Sequence, residues 1–423
     1  MNKRFYFDWA ATAFAEIASA EDGVNSGIAD SPLDISSGFD AHTWRFANPS
    51  SQHSEGLKAR QALQDARNAC AAALNVESSK LYFTSGASEA NAIVLFSLLQ
   101  NHLLGTSKKN IITTLAEHPS VLENCKLLKK IGLPVDFLKL NEAGGVSCDT
   151  LNCELQKKSG SSFISIMSVN NETGIISDIA ALVKRSREEG ASKNKCFFHT
   201  DIVQAIGKIP VDLSAWDVDS AVISAHKIGG MRGVGLLYLK NKIVPLCKGG
   251  AQEDGIRSGT ENVSGAISLA VCLTKMTSLN TQMSARIKNE NDFEKNFNLA
   301  KSRMAYLITE LLNIDRCVII PKCRSACDER FSPYILQAAF KNIPGEVMHR
   351  LLDDAGFAIS TGSACAGTGT KQRGGTAQRP VLAAMGIDEK TAFEGIRISQ
   401  GWTTTMSDID NLLAAIRNIL KKY

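Results

Sequence analysis

The stretch AVISAHKIGG, residues 221–230, runs from Ala221-Val222-Ile223 into Ser224, His226 and Lys227 and closes on two glycines. A short apolar run bounded by polar and glycine residues reads as a buried strand and its end. Lys227 therefore stands close to a strand end. A lysine there loses hydration when charged, so its pKa tends to fall, and a lysine with a lowered pKa forms Schiff bases with aldehydes. A lysine that carries its charge out to solvent on its alkyl stem fits the same letters equally well. What the other strand ends supply decides between the two.

Working outward, the runs KLYFTSG (80–86), NIITTLAEH (110–118), PVDFLKL (134–140), FISIMSVNN (163–171), CFFHTDIVQ (196–204) and GVGLLYLK (233–240) share this character with DSAVISAHK (219–227). Helical stretches fall between several of them, at 88–102, 119–131 and 178–190, and LKARQALQDARNACAAAL (57–74) reads as a helix ahead of them. Such alternation predicts an α/β domain with a mostly parallel sheet. Beyond about residue 270 the pattern changes. A long amphipathic or charged helical stretch at 283–314 is followed by short strands (RCVII, YILQAAF, FAIS, GIRIS) and helices at 345–354 and 407–421. These predict a second, smaller α+β domain.

In open α/β sheets, ligands bind beyond the carboxyl ends of the strands. One strand here runs into Ser85-Gly86-Ala87-Ser88 and a helix, a pattern that suits an anion and equally an ordinary capped turn. Another ends in Glu117-His118, and a third in Asn170-Asn171-Glu172-Thr173-Gly174. Taken singly, these read as a structural histidine and a polar turn. Asp201 and Gln204 follow a fourth strand, with His199 read as a core or supporting residue. Taken together, one sheet supplies a phosphate cradle, an imidazole, an acid and a strand-end lysine. Pyridoxal phosphate (PLP) asks for that set: a Schiff-base lysine, a carboxylate for the pyridinium nitrogen and donors for the phosphate.

The chain has 423 residues, 44% hydrophobic and 21% charged, with a net charge of +4. That is an ordinary globular composition with no basic run that would point to nucleic acid. Eleven scattered cysteines do not form a small disulfide framework, so a reduced, cytoplasmic setting is expected. No apolar run approaches the ~20 residues of a membrane helix. Asp8 and Glu16 interrupt any signal-like stretch at the N-terminus. One cysteine stands apart. Cys365 lies in AISTGSACAGTGTKQRGG (358–375), among small and glycine residues that read as a flexible, exposed loop. A thiol there is free to react.

At these residues the sequence resembles the class V, fold-type I PLP enzymes, and within them the cysteine desulfurases of the NifS/IscS type. The resemblance is carried by YFDWAATA (6–13), NPSSQHSEG (48–56), FTSGASEAN (83–91), Glu117-His118, VNNETG (169–174), HTDIVQAIGKIPVD (199–212), SAHKIGGMRGVG (224–235), GIRSGTEN (255–262), TGSACAG (361–367) and GIRIS (395–399). It implies the PLP-dependent transferase fold type I, with a large α/β domain over 17–275 built on a mainly parallel seven-stranded sheet. The smaller α+β domain would comprise 1–16 with 276–423 and carry the Cys365 loop.

The resemblance also implies roles. Lys227 would hold PLP, Asp201 would pair with its pyridine nitrogen, His118 would stack on the ring and Gln204 would bond its phenolic oxygen. Asn171 would touch cofactor or substrate. Ala87, Ser88, Ser224 and His226 would hold the phosphate, with Thr260 reaching it from a neighbouring subunit of a homodimer. Arg397 would clamp the carboxylate of the substrate L-cysteine, a task that suits its planar fork. Cys365 would take the sulfur as a persulfide, leaving alanine, and pass it to an acceptor protein such as an iron–sulfur scaffold. No resident metal is expected. A selenocysteine lyase, a cysteine sulfinate desulfinase and a weakly active PLP-bearing scaffold are the alternatives.

The pattern departs from the family at three places. AGTGTKQRGGTAQRP after Cys365 is longer than the usual spacer and carries Lys371, Arg373 and Arg379. Asp254 stands in GAQEDGIR (250–257) where the family usually has arginine, and residues 17–43 are longer and less regular than its first helix region. Glu89 and Arg257 read as structural. Cys317, Cys323 and Cys327 are close in sequence, but their uneven spacing favours a reduced structural role over a metal site.

Overall fold

The structure, a computed structural model, describes residues 4–13, 47–105, 109–190, 196–277, 292–362 and 379–423. It opens on a short strand, β1 (Phe5–Tyr6), and then builds a sheet from β2 (Leu81–Thr84), β3 (Asn110–Thr114), β4 (Val135–Leu138), β5 (Ser162–Ser165), β6 (Cys196–Asp201), β7 (Ser220–Ser224) and β8 (Gly235–Leu239). The spatial order is β2-β8-β7-β6-β5-β3-β4. All neighbouring pairs are parallel except those of β8, which runs against both β2 and β7. The link from β7 to β8 is too short for a crossover helix, and such a link forces an antiparallel pair. All seven expected strands are present, each shorter than the sequence run that announced it.

Alternate residues of these strands face two separate cores. Leu81, Phe83, Ile164, Phe198, Ile223 and Leu236 pack under α1 (Ser54–Leu74) and the Val263–Met276 helix. Tyr82, Ile111, Phe163, Val222 and Leu237 pack under α2 (Ala87–Leu103) and α3 (Pro119–Lys130). A sheet covered on both faces explains strands that read as continuous apolar runs. The Val263–Met276 helix was not legible as one. It is buried nearly all round, so its sequence lacks the polar stripe that marks a surface helix. Asn262 caps it, its side chain accepting from the Gly265 amide at 2.9 Å.

The C-terminal part carries a second, antiparallel sheet in the order β12-β10-β9, from β9 (Cys317–Ile320), β10 (Ile335–Phe340) and β12 (Gly395–Ser399). The Asp292–Leu312, Gly345–Asp354 and Met406–Lys422 helices close its core around Leu307, Leu336, Phe340, Ile396 and Leu412. The expected helical stretch 283–314 is thus observed over Asp292–Leu312, and its first residues lie outside the described residues. β1 pairs in parallel with β11 (Phe357–Ala358), and Asp8 bridges to Ser399, so the N-terminal segment is anchored on this C-terminal sheet. Among the described residues no helix is long and apolar enough to cross a membrane.

One close approach locks β2, β7 and β8 together. A Cβ on Gly235 would fall 2.6 Å from Gly86 Cα and 2.7 Å from the Ile223 carbonyl oxygen, both backbone atoms that cannot step aside. Gly235→Ala is therefore expected to destabilise the fold by about 1–3 kcal/mol. Urea unfolding measures this, and an unchanged midpoint would contradict it.

Candidate active site

The carboxyl ends of the parallel strands share one edge of the large sheet. A cleft of about 450 Å³ opens there, lined by Ala87, Ser88, His118, Asn171, Asp201, Gln204, Ser224, His226, Lys227 and Arg397. The sequence-expected site residues therefore converge on one place, with two exceptions. Thr260 is exposed, in the loop ahead of the Val263–Met276 helix, and does not line this cleft. Cys365 lies outside the described residues, as do Lys371 and Arg373.

Lys227 ends a single 3-10 turn that follows β7. Its Nζ donates to the carbonyls of Ala10 at 2.7 Å and Ala11 at 2.6 Å. The N-terminal segment, anchored on the far sheet, thus lays its backbone across the cleft. Gln204 Nε2 donates to the same Ala10 carbonyl at 2.8 Å, and Lys208 Nζ donates to Gln204 Oε1 at 2.6 Å. Lys208 is buried, and that burial, with Lys227 and Arg397 nearby, pushes its pKa down to about 7. His226 is held neutral in the same way, at about 4, by burial and then by Lys227, Arg232 and Lys208.

Behind the cleft runs a buried hydrogen-bond network. His199 is fully buried and its pKa is pushed down to about 3 by that burial, so its ring is neutral. Its Nε2 donates to Asn91 Oδ1 at 2.9 Å, because an amide oxygen can only accept, and its Nδ1 therefore accepts from Ser220 Oγ at 2.7 Å. Asn91 Nδ2 then donates to Asp201 Oδ2 at 3.1 Å and to Ser120 Oγ at 2.9 Å. The second oxygen of Asp201 accepts from the Val203 amide at 3.0 Å. Two donors fix the carboxylate in place.

His118 caps α3, with Pro119 at the first helical position. Its Nδ1 accepts from the Ser120 amide at 3.2 Å and sits 2.8 Å from Ser120 Oγ. Burial, with Lys227 close by, holds the imidazole below its ordinary pKa, which leaves Nε2 as the protonated nitrogen. One asparagine thus orients both Asp201 and, through Ser120, His118. Asn91 was quoted in a motif but given no role from sequence. Nothing in a single sequence separates it from other polar helix residues.

At the other end of the cleft, Gly86 caps α2 without any side-chain bond, so the first amides of that helix, at Ala87 and Ser88, have no intrahelical acceptor. Arg397 reaches the cleft from β12 and is almost completely buried. Its Nη2 pairs with Asp8 Oδ1 at 2.7 Å and its Nη1 donates to the Asn171 carbonyl at 3.0 Å, while Nε has no protein partner among the described residues. Ser360 exchanges backbone bonds with Arg397, its amide donating to the Arg397 carbonyl at 3.3 Å and its carbonyl accepting from the Arg397 amide at 2.6 Å. Beyond Ser360, Gly362 stands against the Glu172 carboxylate.

Of the departures, residues 17–43 and most of the segment after Cys365 lie outside the described residues, whereas Asp254 has a place. Asp254 is exposed and pairs with Lys242 at 3.2 Å, while its neighbour Glu253 is buried and grips Arg67 with both oxygens at 2.7 Å. Glu89 and Arg257 form an ion pair at 3.2 Å. Cys317 is partly buried in β9, and burial pushes its thiol up to about 12. Among the described residues no group of three or more histidines, cysteines or acids is placed to hold a metal ion.

Glu117, one residue before His118, is fully buried. It accepts from the Met167 amide at 2.6 Å through Oε1, and Oε2 has no hydrogen-bond partner among the described residues. Burial raises its pKa from 4.5 to about 8, with Asp201 adding to the shift. The folded chain therefore holds a proton that the unfolded chain releases at lower pH. This stabilisation is complete below 4.5 and is lost as pH rises through about 8. Glu117→Gln removes the titration, so the wild type is expected to lose stability relative to this variant across that window. Paired unfolding curves at several pH values check this, and parallel pH profiles would refute it.

The aminotransferase class-V family model matches residues 40–412. A protein named cysteine desulfurase IscS from Dictyoglomus turgidum is 34% identical over 380 residues, covering 89% of this chain and 88% of its own. A solved NifS-like protein superposes with a TM-score of 0.80 at 29% identity, with both chains covered in full. The structure titled SspA in complex with cysteine gives a TM-score of 0.67 at 26% identity, over 94% of this chain and 98% of that one. The chain belongs to the class-V aminotransferase family and groups there with the cysteine desulfurases.

Proposed function

We propose that this protein is a PLP-dependent cysteine desulfurase. It would transfer the sulfur of L-cysteine to Cys365, leaving a persulfide, and release L-alanine. The observation that carries this reading is the convergence of Lys227, Asp201, His118 and Arg397 on one cleft at the carboxyl edge of the sheet. The residues fit the cofactor group by group. The uncapped first turn of α2, with Ser88 and Ser224, supplies donors for a phosphate. The carboxylate of Asp201, already fixed by two donors, suits a pyridinium nitrogen. Lys227 supplies an amine for an aldehyde. When bound, PLP supplies an electron sink for the α-carbon of an amino acid.

The chain's own residues would do the rest. Arg397 binds the substrate carboxylate, with Asp8 and the Asn171 carbonyl holding the guanidinium in one orientation. Lys227 would take the α-proton as general base. The neutral ring of His118 presents its Nε2 proton to the cleft, fixed in that tautomer by Ser120. Cys365 attacks the substrate sulfur as a thiolate. Its sulfur would form a bond to the substrate sulfur as the carbon–sulfur bond breaks; the electron pair stays on the β-carbon, which takes a proton, and return of the α-proton from Lys227 to the α-carbon completes alanine. Cys365 is three residues beyond Gly362 in the chain, a tether of roughly 10 Å from a point beside the cleft.

Thr260, exposed and outside the cleft of its own chain, would serve the phosphate site of a second copy, which supports a homodimer. The persulfide would pass to an acceptor protein for iron–sulfur or thiolated cofactor synthesis. A cytoplasmic setting suits a reaction that needs a free thiol, and the cysteines among the described residues are all free.

The test is product release from L-cysteine by the PLP-reconstituted protein under a thiol reductant. Alanine and sulfide are expected in equal amounts, and neither from Lys227→Ala. Cys365→Ser is expected to lose at least about 100-fold in sulfide release, the scale on which loss of a catalytic group acts. Full-rate sulfur release by Cys365→Ser would exclude the persulfide route. Turnover confined to selenocysteine or cysteine sulfinate would reassign the substrate.

A further inference from the structure

Lys208 is a lysine where fold stability gives no reason for one. It is buried, and the charged groups that act on it, Lys227 and Arg397, are both cations. A buried charge beside like charges is destabilising, and an apolar side chain of similar size would serve packing better. What Lys208 does have is a single well-made bond toward the cleft. Its Nζ donates at 2.6 Å to Oε1 of Gln204, four residues earlier in the chain. The other end of that amide donates at 2.8 Å to the Ala10 carbonyl, which also accepts from Lys227 at 2.7 Å.

An amide side chain is nearly symmetric in shape, and its orientation is set by its partners. An ammonium can only donate, so it demands the oxygen of Gln204. The Ala10 carbonyl can only accept, so it demands the nitrogen. Lys208 therefore turns the N–H end of Gln204 to the side where Lys227 works. With an apolar residue at 208, Gln204 Oε1 would lose the donor that Lys208 gives it.

We infer that Lys208 is a positioning residue, which acts through Gln204 to keep a hydrogen-bond donor behind the phenolic oxygen of bound PLP. The inference rests on the reading that this cleft holds PLP. Its consequence is electrostatic. A donor at that oxygen favours its anionic form and so disfavours a proton on the neighbouring lysine nitrogen. Losing its orientation should make that proton harder to lose.

The experiment is an absorbance titration against pH of the PLP-loaded protein, in four forms: wild type, Lys208→Met, Gln204→Leu and the double variant. Thermal unfolding is recorded for each. Lys208→Met is expected to raise the apparent pKa of the bound chromophore by about one unit, a tenfold change in the proton equilibrium. Its melting temperature should stay level or rise, because a buried charge has gone. Gln204→Leu should shift the titration at least as far, and adding Lys208→Met to it should move the titration little further. An unmoved titration in Lys208→Met overturns the inference, and so does a full additional shift in the double variant, which would mean that Lys208 acts independently of Gln204. A wild type that forms no chromophore dependent on Lys227 overturns the PLP reading, and this inference with it.

Discussion

The guanidinium of Arg397 is the point on which the site depends. It comes from the C-terminal sheet, yet it is almost wholly buried and contacts three separate parts of the chain. Asp8 on the N-terminal segment takes one nitrogen, the Asn171 carbonyl beyond β5 takes another, and its backbone bonds to Ser360 on the approach to Cys365. A buried arginine is tolerable only when its charge is paired and its donors are used. Satisfying it draws the N-terminal segment, the large sheet and the small sheet to one place. Arg324 makes a parallel link, donating to the Thr173, Ile335 and Ser332 carbonyls across the same boundary.

A second constraint is the chain of neutral donors under the cleft. Ser220, His199 and Asn91 carry no net charge, and each has a defined direction of donation. They present Asp201 with a proton donor without adding a competing charge beneath it. Such a chain is rigid because reversing any one bond would leave a buried polar atom unpaired. This rigidity would suit the flat ring of the proposed cofactor.

Much of this was legible in the sequence, for two different reasons. The large sheet could be read because its strands are short, apolar and spaced by helices. The groups at their ends could be read because polar residues directly after apolar runs have few places to be. Motif order then placed Lys227, His118, Asp201 and Arg397 before any contact was known. What escaped was whatever depends on partners distant in sequence. The Val263–Met276 helix lacks periodicity because it is buried all round. Asn91 and Lys208 look like any polar residue of a helix or turn until their neighbours are known. Asp8 gains its meaning only from Arg397, 389 positions away.

The backbone laid over Lys227 has a consequence for how the protein is made. Ala10 and Ala11 are synthesised long before the strands and bridges that hold their segment in place, which come from residues 357–358 and 399. Trp9 likewise packs edge-on against Trp402, with ring centres 4.7 Å apart. The large sheet can therefore form during synthesis while its lysine still lacks its two carbonyl partners. Contacts this distant in sequence close late, since the loop between them must be ordered first. Maturation of the cleft therefore waits until residues 357–358 and 399 have been made and have closed onto the segment that carries Ala10 and Ala11.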